Sequence, residues 1–199
     1  MDDLTRAWAQ YLDALAVEAP VTRAALLPAR ELDIDRAQQE LGMPLLPDLV
    51  TWFGLHGGSG HSFDCAILPF CMALDLPNAV SDSVMIRDIW QENTDDLDVD
   101  LEDEEYRMAG SVVFTWLNEY LMIGADGGGG GLFIDQRPGP DQGCVRWWDK
   151  VEADCHEGYA AVSLPQLITD LAPAIRDRTP IAGWVPVVVD GALDWIVPE

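Results

Sequence analysis

The sequence predicts an α+β fold, in which helices pack against a mainly antiparallel sheet. Three observations carry this expectation. Helical periodicities dominate the first part of the chain. Short apolar runs broken by tight-turn signals dominate the later part. Nearly half of the 199 residues are apolar and eight are tryptophan, enough to build a core and to argue against general disorder.

The first helix is expected over residues 3–17. Leu4, Trp8, Tyr11, Leu12 and Leu15 recur at helical spacing, and Asp2 or Asp3 supplies a short carboxylate for the free amides of the first turn. Ala19-Pro20 ends that pattern. A second helix is expected from about Ala29 to Leu41, with Ile34, Ala37 and Leu41 on one face and Gly42 as a left-handed cap. A short third helix follows in "LPDLVTWFGLHGG". Pro47 suits its first turn, where the missing N–H would be unbonded anyway, and Trp52 falls on the apolar face. His56 is expected at the helix C-terminus, satisfied by a backbone carbonyl or solvent.

From His61 to Leu76 the chain is mostly apolar without a clear period. The run "QENTDDLDVDLEDEE" then concentrates acids whose mutual repulsion predicts a solvated loop or face. Strands are expected at Val112 to Trp116, into Ile123, at Leu132 to Asp135 and in "GCVRWWD". "SLPQLITDLAPAI" reads as a helix capped by Ser163, with Leu167, Ile168, Leu171 and Ile175 on its buried face. Asp190-Gly191 is the strongest hairpin signal, because both residues tolerate positive φ. There is no internal repeat.

Charge is the unusual feature. The 35 acids against 11 Lys or Arg give −24, a surface that repels nucleic acid and anionic lipid and attracts a basic protein. Solubility or halophilic adaptation would produce the same balance. The acidic start "MDDLTRAWAQ" lacks the positive region of a secretory signal, and no apolar run has the length of a membrane span. The expected location is therefore the cytoplasm, with Cys65, Cys71, Cys144 and Cys155 reduced.

The stretch "IGADGGGGGLFIDQRPG", Ile123 to Gly139, looks at first like a phosphate cradle. A Walker loop needs a lysine and a hydroxyl after its glycines, and a dinucleotide fingerprint needs a helix there. Here Leu132-Phe133 opens a strand and Asp126 would oppose a phosphate. A turn needs only one or two glycines, and each ordered glycine costs about 0.5–1 kcal/mol relative to alanine. The excess implies either a mobile loop or backbone closely approached by a partner or a neighbouring side chain.

No catalytic or metal motif emerges. His61, Cys65, Cys71, Cys144, Cys155 and His156 lack the Cys-x(2–4)-Cys unit of a structural zinc site. Asp95, Asp96, Asp98 and Asp100 lack the glycine and terminal glutamate of an EF-hand, although clustered carboxylates leave weak surface calcium binding open. Ser59 and Ser62 lie near His56, His61 and Asp64, but a triad is defined by geometry, and no G-x-S-x-G is present. The expectation is no catalytic residue, no metal and no cofactor. In "CVRWWD" a strand would send Trp147 and Trp148 to opposite faces, so one covers the other face, packs beneath a helix or meets a partner.

Two blocks of sequence resemble the SMI1/KNR4 family, the SUKH superfamily. The first is Leu26 to Gly58. Leu27-Pro28 match the family's leucine–proline lead into a helix, and Glu40-Leu41-Gly42 match its "ELG" end. Pro44, Leu46, Pro47 and Leu49 match "P-L-P-x-x-L" with Leu45 as an extra residue, and His56-Gly57 stands where Asn-Gly is usual. The second is the glycine stretch, where Ile123-Gly124, Asp126 with Gly127 to Gly131, Asp135, and Gly143 with Val145 follow the family's order. "SLPQLITDLAPAI" resembles the late helix.

The resemblance implies an α+β binding fold without family-wide catalytic residues. It further implies, for bacterial members, immunity proteins that neutralise toxins, often nucleases or deaminases; fungal relatives regulate cell-wall and signalling processes. Residues 1–25 are then expected as a helical appendage, and 26–199 as the family domain with an acidic insertion around 92–105. The expected function is non-enzymatic binding of a cognate, basic toxin, with no nucleic-acid or membrane partner. Candidate partner-binding residues are Asp95, Asp96, Asp98, Asp100, Glu102, Asp103, Glu104, Asp126, Gly128, Gly129, Trp147 and Trp148. Two alternatives stand beside this: a regulatory or scaffolding domain without a toxin, and a metal-assisted hydrolase using clustered carboxylates.

Overall fold

A computed structural model describes residues 2–60, 65–94, 106, 108–154 and 162–197, with the side chains of 92–94 left aside. Four helices come first: α1 (Asp3–Glu18), α2 (Pro20–Ala25), α3 (Ile34–Leu41) and α4 (Pro47–Leu55). Strand β1 (Met72–Ala73) precedes the long helix α5 (Leu76–Thr94). Strands β2 (Tyr120–Ala125), β3 (Gly131–Asp135), β4 (Cys144–Trp148) and β5 (Val162–Ser163) follow, then α6 (Leu164–Asp177) and the hairpin β6 (Val185–Val189) and β7 (Ala192–Ile196). Strands β1 to β5 form one sheet in sequence order, every neighbouring pair antiparallel. The α+β expectation holds.

The caps explain where helices start. The Asp2 carboxylate accepts from the Thr5 N–H at 2.7 Å, and the Ser163 hydroxyl from the Gln166 N–H at 3.4 Å. α3 begins five residues later than its periodicity suggested. Asp33 caps it by accepting from the Arg36 N–H, while Leu27 is held outside any helix by backbone bonds to Gly57 and Gly58. Gly42 ends α3 at φ 77°, as expected. Pro20, read as a stop, begins α2, because a first-turn proline sacrifices no helical hydrogen bond.

Two further differences matter. α5 was not anticipated, because its apolar residues do not confine themselves to one stripe. Leu76, Ala79 and Val80 are buried, while Met85 and Ile89 are exposed. Conversely, the strand expected at Val112 to Trp116 is irregular backbone. The Val113 N–H donates to the buried Asp154 carboxylate at 3.4 Å, and the carbonyls of Gly110 and Ser111 just before the segment accept from Arg146 and Arg137.

The sheet has two unlike faces. Leu121, Ile123, Leu132, Ile134 and Val145 join the large core beneath α1, α4 and α6. Trp8 meets Trp52 edge-on at 5.4 Å there, and the Tyr11 hydroxyl donates to the Ile67 carbonyl at 2.6 Å. Alternation sends Tyr120, Met122, Phe133 and Trp148 to the opposite face, into a smaller aromatic core with Trp116 and Ala153. α5 covers part of this second face. The Ser83 hydroxyl accepts from the Met122 N–H at 2.9 Å, and Trp90 meets Trp148 edge-on at 5.1 Å. The terminal hairpin turns at Asp190 (φ 52°) and Gly191 (φ 83°), as its sequence signal required.

Candidate functional site

The glycine stretch is a strand–turn–strand linking β2 to β3, and its turn is held by one side chain of its own and one from just beyond β4. The Asp126 carboxylate accepts from the Gly128 N–H at 2.6 Å and the Gly130 N–H at 2.9 Å. The Lys150 ammonium donates to the Gly128 carbonyl at 2.6 Å. Of the alternatives open from sequence, close approach by neighbours is the one found. A Cβ on Gly131 would lie 2.2 Å from the Gly124 carbonyl oxygen, and one on Gly129, at φ 102°, would lie 2.6 Å from the Lys150 chain. Gly128 and Gly129 face solvent. Asp126 is turned to the backbone of its own loop.

The tandem tryptophans divide as strand geometry requires. Trp148 is 1% exposed and packs beneath α5, so it is a core side chain and not a surface anchor. Trp147 is half-buried on the other face, 6.5 Å from Phe70, whose ring stacks on Trp184 at 4.2 Å. Between α5 and the glycine turn lies an open cavity of about 520 Å³, bordered by Met85, Ile89, Trp90, Gly129 and Lys150. Sequence reasoning singled out the glycine wall of this cavity and missed the helical wall. The signal available was the apolar set Met85, Ile86, Ile89 and Trp90, at helical spacing within an unrecognised helix.

Below that surface the second face is pinned by charge. Asp135 and Arg137 form a buried pair at 2.6 Å, and Arg146 and Asp154 form another at 2.8 Å. Their remaining hydrogen-bonding capacity is spent on the 106–113 backbone. Arg137 donates to the carbonyls of Tyr106 and Ser111, and Arg146 to that of Gly110. Asp135 accepts from the Gly110 N–H at 2.9 Å. The Tyr120 hydroxyl donates to Asp154 at 3.1 Å, and the Arg137 guanidinium sits 5.2 Å from the Tyr120 ring centroid. Burial pushes the Asp154 carboxyl up to about 6, against the pull of Arg146 and the bonds from Tyr120 and Val113. Every charged group here has a protein partner, which marks the network as structural.

The other candidates disperse. Ser59 is buried, and its hydroxyl accepts from the Ala73 N–H at 3.0 Å. His56 caps the C-terminus of α4 as expected, but its partner is a backbone N–H and not a carbonyl or solvent. Its Nδ1 accepts from the Gly58 N–H at 2.9 Å, while the ring packs against Trp8 and Trp52. Burial pushes His56 down to about 4, and protonation of Nδ1 would also forfeit the Gly58 bond. Cys65, Cys71 and Cys144 are buried thiols, and burial raises Cys71 and lifts Cys144 to about 12. Among the described residues no three His, Cys, Asp or Glu groups converge as a metal site. His61, Ser62, Asp64, Cys155 and His156 lie outside the described residues. So do Asp95, Asp96, Asp98, Asp100, Glu102, Asp103 and Glu104. No helix among the described residues is long and apolar enough to cross a membrane.

The motif residues that carried the resemblance meet in space. Leu27 exchanges backbone hydrogen bonds with Gly57 and Gly58, and a Cβ on Gly57 would lie 2.3 Å from the Pro28 carbonyl oxygen. Gly124 and Gly131 touch across β2 and β3, and the Gly143 N–H donates to the Asp135 carbonyl at 2.8 Å. These motifs build the frame of the fold. A comparison with curated proteins returns no match. The sequence profile described as the SMI1 / KNR4 family (SUKH-1) matches residues 28–170. That match covers well over half the chain, and the chain belongs to the SMI1/KNR4 (SUKH-1) family.

Proposed function

We propose that the chain is a non-enzymatic protein-binding module, an immunity-type protein that neutralises a toxin by direct contact. Membership of the SMI1/KNR4 family is the observation that carries this reading. The net charge of −24 supports it further. A toxin acting on nucleic acid needs positive charge where it meets phosphate, and complementary fields accelerate encounter and restrict orientation. The acids between Asp95 and Glu104 act as the steering charges, and the exposed rim of the glycine turn with Trp147 supplies closer contact.

Co-expression with a toxin encoded at the same locus tests the reading. The expected outcome is restored growth and a purified complex of the two chains. Failure to restore growth against every locally encoded toxin would overturn it in favour of a regulatory interaction domain. The steering role is tested separately. Neutralising Asp100, Glu102, Asp103 and Glu104 should slow association mainly at low salt, because long-range fields are screened at high salt. An unchanged rate at low salt would sink that role.

A further inference from the structure

α3 and α5 enclose an open cavity of about 950 Å³ that no motif announced. Its floor is apolar, lined by Leu32, Ala37, Val80 and Val84. Met85 and Ile89 form its outer wall and are 54% and 55% exposed. The same two side chains border the smaller cavity against the glycine turn. α5 thus raises an apolar ridge with a groove on each side. Contiguous apolar surface with a polar rim is characteristic of an interaction site.

The rim identifies the partner's chemistry. Glu31, Asp33, Glu40 and Asp88 surround the larger groove, and its one cation, Arg36, is already bonded to Glu40 at 2.7 Å. We propose that the α3–α5 groove receives one amphipathic helix of a protein partner, apolar on the buried side and flanked by lysine or arginine. A helix laid between two helices places its apolar anchors along the floor and its flanking cations against the acidic rim. The rim disfavours the two other occupants. A second copy brings a chain of charge −24, and the chain's own acidic run brings like charge to like. This site rests on the reading that the chain works by binding a protein, and it names the segment bound.

The test uses the full chain, isotopically labelled, and two designed amphipathic helices as probes: one of leucine and lysine, and the same pattern in leucine and glutamate. The lysine peptide should shift resonances of α3 and of Val80 to Ile89, and the glutamate peptide should not. The double variant Met85→Glu with Ile89→Glu should weaken lysine-peptide binding by about tenfold or more, with an unchanged unfolding midpoint, because both side chains face solvent. Equal affinity of that variant, shifts confined to other elements, or equal binding of the glutamate peptide would overturn the site. Concentration-dependent shifts in the groove without peptide would identify a second copy instead. Binding that emerges only after residues 95–105 are replaced by a Gly-Ser linker would identify that run as the occupant. Growth rescue separates this inference from the immunity reading. Rescue with the peptide bound elsewhere sinks the site alone. A peptide in the groove without rescue sinks immunity alone.

Discussion

The two faces of the central sheet are built on opposite principles. One is apolar, where Leu121, Ile123, Leu132 and Ile134 meet helices that bury whole stripes of leucine, alanine and aromatic side chains. The other has a small aromatic core, two buried ion pairs and a loop whose backbone is held by guanidinium and carboxylate groups. Burial of apolar area is non-directional and tolerates imprecision. A buried ion pair stabilises only when its partners and hydrogen bonds are all in place. The first face supplies cohesion, and the second holds irregular backbone in one arrangement beside the helix that carries the exposed apolar ridge.

Single and double truncations break this comparison most directly. Arg146→Ala or Asp154→Ala leaves an uncompensated buried charge, and each should cost about 3–5 kcal/mol in urea unfolding. Replacing both together, Arg146→Met with Asp154→Leu, should recover most of that loss, because the desolvation penalty disappears with the charges. On the apolar face Leu171→Ala should cost about 2–5 kcal/mol, and a second distant truncation such as Leu15→Ala should add to it. Additive losses at 146 and 154 would erase the distinction between the faces.

His56 sharpens the comparison as a polar group on the apolar side. Its folded value of about 4 lies below the usual 6.5, so the unfolded chain binds the extra proton between those values. Stability from this group is therefore present above pH 6.5 and lost as pH falls through 4, by about 3 kcal/mol. Asp154 acts in the opposite direction over the same window, because protonation relieves the cost of its burial. The decisive quantity is the difference between wild type and His56→Gln. The wild type should lose more stability between pH 7 and pH 4.5, and identical pH profiles would refute the buried neutral imidazole.

The smallest effect belongs to the glycine turn. Asp126→Ala removes the acceptor for two amides and should cost about 1 kcal/mol. Amide exchange should quicken at Gly128 and Gly130 while β3 is unaffected. Unchanged exchange at those two amides would mean that the carboxylate does not hold the turn.

The same contrast explains what the sequence made legible. α1, α4 and α6 were readable because each buries one apolar stripe and starts at a recognisable cap or first-turn proline. The hairpin was readable because Asp190-Gly191 specifies its own geometry. α5 escaped notice because Met85 and Ile89 face outward and fill in the polar stripe that would mark a helix. Val112 to Trp116 looked like a strand because local β-propensity cannot register that distant Arg146 and Asp154 claim the neighbouring backbone. The α3–α5 groove was invisible for a related reason. It joins residues some forty positions apart, and one of its walls was an unrecognised helix.

Amide hydrogen exchange, with and without a toxin that co-expression identifies as neutralised by the chain, tests most directly whether the apolar face folds the molecule and the α5 side binds. The account predicts new protection on α3, α5 and the glycine turn, with α1 and α6 unchanged. Protection confined to α1, α6 and the terminal hairpin, or protection nowhere, would contradict it.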